Sequence, residues 1–277
     1  MANILSKKRS KRASSIHPTA IVSPEAWLDE GVEIGPYTII GPQVKIGRET
    51  KIAARVLIEG DTEIGQRCRI FSGAVIGSLA QTLQTKPARS GLSIGDDNVL
   101  REYVTVNASM KDGCKTMIGD RNMLMTGAHV AHDCALGSNI VMANLATLAG
   151  HVTIEDQAVI GGMTGVHQFV RIGRLAMVGA LSKVVMDIPP FSIVDGRPGR
   201  FRGPNAIGLK RAGFTAGRRI EIKKAQTLLF GKRCNFSEVI PQVRRRFKDN
   251  PDVEAILSFV ERSKRGVSRS TVSDDVE

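Results

Sequence analysis

An aliphatic residue recurs at every sixth position along most of this 277-residue chain. Ile34, Ile40, Ile46, Ile52, Ile58, Ile64, Ile70 and Ile76 hold the register, and Ile16, Val22 and Leu28 extend it backwards. It resumes at Ile94, Leu100 and Val106, then runs through twelve successive positions from Ile118 to Val184. Glycine often follows directly, as at Gly35, Gly41, Gly47, Gly161 and Gly173. A period of six fits neither a helical stripe nor the alternation of a half-buried strand, and its persistence through 26 positions excludes chance. A coil of short strands meeting at corners satisfies it. One aliphatic side chain per hexad points inward, where the stiff χ1 of a β-branched residue suits a stacked ladder. Small residues near the corners tolerate the sharp turn. Three hexads close one triangular turn, stacked on the next at about 4.8 Å. Such an interior is narrow, which explains an aromatic content of only 4%.

The pattern predicts a coil over residues 16–190, ended by Pro189-Pro190, whose missing N–H groups stop a ladder. Two interruptions, 78–93 and 109–117, read as polar loops extruded from it, and loops of this kind often line sites. Residues 191–265 form a linker and a small helical domain, with helices expected near 205–212, 216–230, 237–248 and 251–263. Residues 266–277 are a tail, and residues 1–15 a basic arm expected to be disordered. The fold class is therefore mainly β, a parallel β-helix of hexapeptide repeats followed by a C-terminal α-helical domain.

Charge is uneven along the chain. The formal net is +12, of which residues 197–269 hold 19 basic against 6 acidic side chains and residues 1–12 hold five basic ones and no acid. An acidic partner should meet these segments. No helix-turn-helix, zinc-finger or aromatic ribonucleoprotein motif accompanies the charge, which argues against nucleic acid. No run of about 18 apolar residues exists to span a membrane. Cys68, Cys114, Cys134 and Cys234 form no C-x-x-C pair, so neither a disulfide framework nor a cysteine zinc site is indicated.

The period also makes a statement about chemistry. His132, Gly150 and Gln168 are spaced by 18 and 18 residues, so they stack on successive turns. Asp133, His151 and Phe169 form the neighbouring column, with His167 beside Gln168. Four of the five histidines, His129, His132, His151 and His167, fall within 39 residues. One imidazole at a corner is mere decoration; four together suggest a site. A neutral imidazole is the usual general base near neutral pH. Asp133 could fix the tautomer of His132 if the two side chains do not point apart. Gly150 lets a thioester carbonyl approach its backbone N–H, as an oxyanion site requires. The constellation suits acyl transfer to a hydroxyl. A three-histidine zinc site is the rival, but the H-x4-H pair of the hexapeptide-coil carbonic anhydrases is absent from the sequence.

The hexads resemble the left-handed parallel β-helix of the hexapeptide-repeat acyltransferases. More closely, Gly127-Ala128-His129-Val130-Ala131-His132-Asp133-Cys134, then Ala149-Gly150-His151-Val152, then Gly161-Gly162-Met163-Thr164-Gly165-Val166-His167-Gln168-Phe169 resemble the UDP-N-acetylglucosamine O-acyltransferases. The likeness continues through Gly208-Leu209-Lys210-Arg211 and covers roughly residues 16–265. It implies acyl transfer from acyl carrier protein to the sugar 3-hydroxyl, the first step of lipid A synthesis. His132 would be the base, with Asp133 beside it, and Gly150 the oxyanion donor. His129, His151, His167 and Gln168 would surround substrate, and Asn205 and Arg211 would approach the nucleotide. Ala180 would limit acyl length, and Arg171 and Arg174 would dock the acidic carrier. No metal and no free cofactor is implied, since the donor rides on the carrier's phosphopantetheine. A homotrimer in the bacterial cytoplasm is expected. The arm at 1–15 leaves open a weak contact with anionic lipid or an organelle transit function. Departures cluster where the family touches the sugar nucleotide: Gln81-Thr82-Leu83-Gln84, Asn107-Ala108-Ser109, Ile207 and Ala212 replace the usual elements. They raise one alternative, N-acylation of a 3-amino analogue; a zinc carbonic anhydrase-like enzyme on the histidine cluster and a non-catalytic coil with a dead site are the readings from other classes.

Overall fold

A computed structural model describes residues 14–83, 90–231 and 235–270; the arm up to residue 13 and the tail beyond residue 270 lie outside these. Short strands, most of two residues, stack into three sheets of eleven, nine and eight strands. The register is that of the hexads: Ile34 lies on Ile52, Ile52 on Ile70, and Ile40 on Ile58. These aliphatics are at most 3% exposed and form one continuous core along the axis. The coil is a left-handed parallel β-helix.

Corners need extra hydrogen bonds because the ladder lapses there. Asn98 donates through Nδ2 to the Gly95 and Gly119 carbonyls and accepts from Asn122 N–H. Asn122 repeats the device one turn on, donating to the Gly137 carbonyl and accepting from Ile140 N–H. Both side chains are buried. Corner residues also adopt left-handed backbone, among them Asp133 (φ 59°), His151 (φ 61°) and Phe169 (φ 64°).

Both polar loops are shorter than the sequence pattern suggests. Val75–Ser78 and Gly91–Ile94 are strands, so the first interruption is confined between Ser78 and Gly91; Lys115–Ile118 is a strand, so the second loop is 108–114. Backbone pairing continues into these polar residues because Gly91–Ile94 is bracketed by Asp61–Ile64 and Lys115–Ile118 over four residues on each side. Each loop connects the nine-stranded sheet to the eight-stranded one, so both emerge at the same corner. Nor does Pro189-Pro190 end the ladder: Ser192–Asp195 still pairs in parallel with the turn before it. The prolines fall between Ile188 and Phe191, whose own hydrogen bonds bridge the gap.

Beyond the coil, Ser192–Asp195 pairs antiparallel with Arg200–Pro204. Among the described residues four helices follow: α1 (Ala206–Arg211), α2 (Ala216–Phe230), α3 (Phe236–Arg246) and α4 (Pro251–Glu261). Asn205, Thr215, Asn235 and Asn250 cap them, each side chain accepting from a first-turn N–H. Here the phenylalanines gather: Phe191, Phe201, Phe214, Phe230 and Phe259 make a second core of interhelical width that the coil could not hold. Arg218 of α2 grips Asp252 of α4 through two hydrogen bonds of 2.8 and 2.9 Å.

Candidate active site

The corner that emits both loops also carries His132 and Asp133. His151 N–H donates to the His132 carbonyl (3.0 Å) and Phe169 N–H to the Gly150 carbonyl (3.1 Å), which locks the stacked columns turn on turn. The His132 ring lies directly against Gly150. A Cβ at residue 150 would come within 2.6 Å of its Nε2, so any residue but glycine there would displace the ring. His151 meets His132 edge-on, with centroids 5.2 Å apart, and stacks on Phe169 at 4.5 Å.

Asp133 and His132 do not point apart. The left-handed corner turns the carboxylate back, and His132 Nδ1 lies 2.8 Å from Asp133 Oδ2. His151 Nε2 is 3.8 Å from the same oxygen. Asp133 is almost wholly buried, with 6% of its side chain exposed. Burial raises its pKa, but hydrogen bonds from Ser109, His132 and the Met110 N–H outweigh this and hold it below the usual carboxylate value. Its charge is thus kept in the fold. Burial lowers the pKa of His129 and, against an opposing pull from Asp133, that of His151. His132, Asp133 and His151 also bring one ligand atom each within 4.8 Å of one another.

A groove of about 500 Å3 runs down the nine-stranded face from this corner, with His129, His132, Gly150, His167, Asn107 and Lys183 on its walls. Gly165 lines it with no side chain. Among the described residues the Gly150 N–H has no hydrogen-bond partner. A second hollow of about 630 Å3 opens beside His151 and Phe169. Its walls are Arg171, Arg262, Lys264 and Arg265, against one acid, Asp187.

The structure therefore gathers His129, His132, Asp133, Gly150 and His167, and sets His151 between His132 and the second hollow, whose wall it lines. Gln168 is exposed beside them without lining the groove. Arg171 faces the second hollow, its guanidinium 4.3 Å over Phe259. Arg174 is elsewhere, over Phe191, in a hollow shared with Glu155 and Asp156. Asn205 is committed to the fold: Oδ1 caps α1 and Nδ2 donates to the Leu175 carbonyl. Arg211 is exposed on α1. Ala180 is exposed and outside the groove lining. Sequence reasoning missed Lys183 and the contact of Ser109 with Asp133, and it placed the cations at 262–265 only within a basic C-terminal segment. Lys183 belongs to the outward column of His129, Thr147 and Gly165, so the 18-residue step could have found it.

A left-handed coil with a histidine–carboxylate pair at one corner and an open glycine N–H beside it defines the class: a hexapeptide-repeat acyltransferase. A model of bacterial transferase hexapeptide repeats matches residues 25–60, and one described as UDP-N-acetylglucosamine O-acyltransferase, domain 2, matches residues 187–268. The acyl-[acyl-carrier-protein]--UDP-N-acetylglucosamine O-acyltransferase of Synechocystis is 46% identical, covering 90% of each chain. That of Thermodesulfovibrio yellowstonii is 46% identical over 92% of this chain and all of its own. The solved UDP-N-acetylglucosamine acyltransferase of Bacteroides fragilis superposes with a TM-score of 0.88 at 38% identity, over 92% of this chain and 100% of that one. The chain belongs to the UDP-N-acetylglucosamine O-acyltransferase family.

Proposed function

We propose that this protein transfers an acyl chain from acyl carrier protein to the 3-hydroxyl of UDP-N-acetylglucosamine, the opening step of lipid A synthesis. The observation that carries the reading is the His132–Asp133 pair, 2.8 Å apart, with His132 on the wall of a groove that Gly150 also lines, its N–H without a partner among the described residues. With Nδ1–H donated to Asp133, the Nε2 lone pair of His132 takes the proton of the sugar hydroxyl. The oxygen attacks the thioester carbonyl, and the developing oxyanion accepts from Gly150 N–H. Collapse breaks the C–S bond. The imidazolium returns its proton to the leaving thiolate, so the products are an ester and the free thiol of the carrier. No metal or free cofactor enters this balance.

The carrier is acidic in this reading, and the cations around the second hollow, which His151 also lines, suit its approach. A homotrimer accounts for an apolar stripe along another corner: Tyr103, Leu145, Met163 and Leu181 are 48–68% exposed in the single chain. The relatives' shared name disfavours the amide-forming, zinc-hydrase and non-catalytic readings. Incubation with hydroxyacyl-loaded carrier protein and UDP-N-acetylglucosamine, followed by mass spectrometry, tests the reaction. An acylated nucleotide sugar made by the wild type and lost in His132→Ala supports it; no product from the wild type refutes it.

A further inference from the structure

Asp133 is reached by one side chain that the reaction does not use. Ser109, in the 108–114 loop, is 4% exposed. Its Oγ accepts from Lys111 N–H at 3.0 Å, which fixes where its single proton can go. Two acceptors are in range, Asp133 Oδ1 at 2.5 Å and the Lys111 carbonyl at 3.4 Å. The shorter contact to a charged oxygen takes it. Ser109 N–H is itself tied to the Gly91 carbonyl, so the loop is pinned to the ladder at this residue. The other carboxylate oxygen, Oδ2, receives His132 Nδ1–H at 2.8 Å and Met110 N–H at 3.3 Å. Asp133 N–H donates to Thr116 Oγ1.

We propose that Ser109 is a positioning residue that acts through Asp133: by holding Oδ1 it stops the carboxylate from turning and keeps Oδ2 on His132 Nδ1. The alternative partner is close, because His151 Nε2 stands 3.8 Å from Oδ2. A carboxylate free to turn could share itself between two imidazoles, and His132 would lose the bond that selects its tautomer. Ser109 also draws charge from the carboxylate. The groups facing Asp133 are Ser109, the Met110 N–H, His132 and His151, with Lys111 acting on His151 from the same loop. Without the serine hydroxyl that restraint on Oδ1 is lost, and Oδ2 is free to leave His132 Nδ1.

The proposal rests on the acyl-transfer reading for its kinetics but not for its spectroscopy. Ser109→Ala, and Ser109→Gly as a second variant lacking the hydroxyl, should each lower kcat about tenfold, the worth of one charge-assisted hydrogen bond. KM for both substrates should stay within about twofold. The downfield proton resonance of the His132 Nδ1–H, which reports its bond to Asp133 Oδ2, should move upfield or broaden. Ser109→Thr, which keeps the hydroxyl, should restore both the rate and the resonance. A His132 Nδ1–H resonance unchanged in both hydroxyl-free variants overturns the proposal. So does a kcat loss that Thr fails to restore. A displaced resonance in a protein that acylates nothing would uphold the Ser109 inference and sink the acyl-transfer reading instead.

Discussion

His132 and Gly150 are coupled through space as closely as two residues of neighbouring turns can be. The imidazole occupies the volume where any Cβ at residue 150 would project, so Gly150→Ala must push the ring away or tilt it. Its cost should appear in kcat rather than in substrate affinity, because the displaced group is the base and the N–H is the oxyanion donor. His132→Ala removes the base outright and should lower turnover by about 10²–10⁴ while substrate binding largely survives. Isothermal titration with UDP-N-acetylglucosamine, run beside steady-state kinetics, checks both variants. Near-native turnover in His132→Ala would mean that the proton leaves by another route.

At the scale of the elements, the coil depends on its corners. Hexad residues make each turn buriable, but the corner carbonyls and N–H groups must find partners off the ladder. Asn98 and Asn122 do this in series, the N–H of one residue feeding the side chain of the other. Asn122→Leu keeps the volume and apolar packing but leaves the Gly137 carbonyl and the Ile140 N–H buried and unpaired. The expected loss is about 2–6 kcal/mol, since each of the two orphaned buried groups costs about 1–3 kcal/mol. Calorimetric melting checks it; an unchanged Tm would show that water or a backbone shift serves these groups. Helix α3 makes the converse point. Pro241 sits inside it, yet the helix continues to Arg246. The apolar side chains on one side, Ile240 and Val243, are buried in the aromatic core and hold it together.

Across the whole molecule, titrating groups pull stability in definite directions. His129 and His151 have pKa values below the ordinary 6.5, so the stability they contribute is present above that pH and is lost as pH falls through their folded values. Glu63, Asp97, Asp133 and Glu254 are likewise lowered. The Arg101 guanidinium holds Glu102 down to about 2, so its contribution fades between 4.5 and that value. At the other end, burial pushes the Cys68 and Cys134 thiols up to about 11 and about 12, above an ordinary 9.0. Their contribution is complete below 9.0 and declines as pH rises toward the folded values. A Tm profile should therefore be flat between about pH 7 and 9 and fall on both sides. A maximum near pH 5 would contradict it. The cationic hollow makes a separate prediction. Lys264→Glu should raise the apparent KM for the carrier-bound donor and leave that for the sugar nucleotide unchanged, and added salt should mimic it. Arg174→Glu should do less, since that guanidinium lies over Phe191 in another hollow. Equal effects of the two reversals would move the docking surface.

The six-residue period alone determines the coil, its inward residues and the stacking of His132, Gly150 and Gln168. All three follow from backbone spacing, which a repeat encodes directly: Phe169 N–H meets the Gly150 carbonyl because one turn is 18 residues. The same period places both extruded loops at one corner, since each breaks the register between the same two faces. Side-chain direction at a corner is not periodic information. The left-handed φ of 59° at Asp133 recurs at Asn139 (59°), Leu145 (61°) and His151 (61°), so the backbone turn is periodic, but which neighbour the carboxylate then meets is not. Whether Ser109 reaches Asp133 depends on how an irregular loop folds back across 24 residues. Asn205 looks like a ligand for a nucleotide in one dimension and is a helix cap in three. Arg265 reaches the Val185 carbonyl across 80 residues because the packed helices return the chain to the coil. A return path of that kind is set by how one apolar core closes against another, so only the tertiary structure decides it.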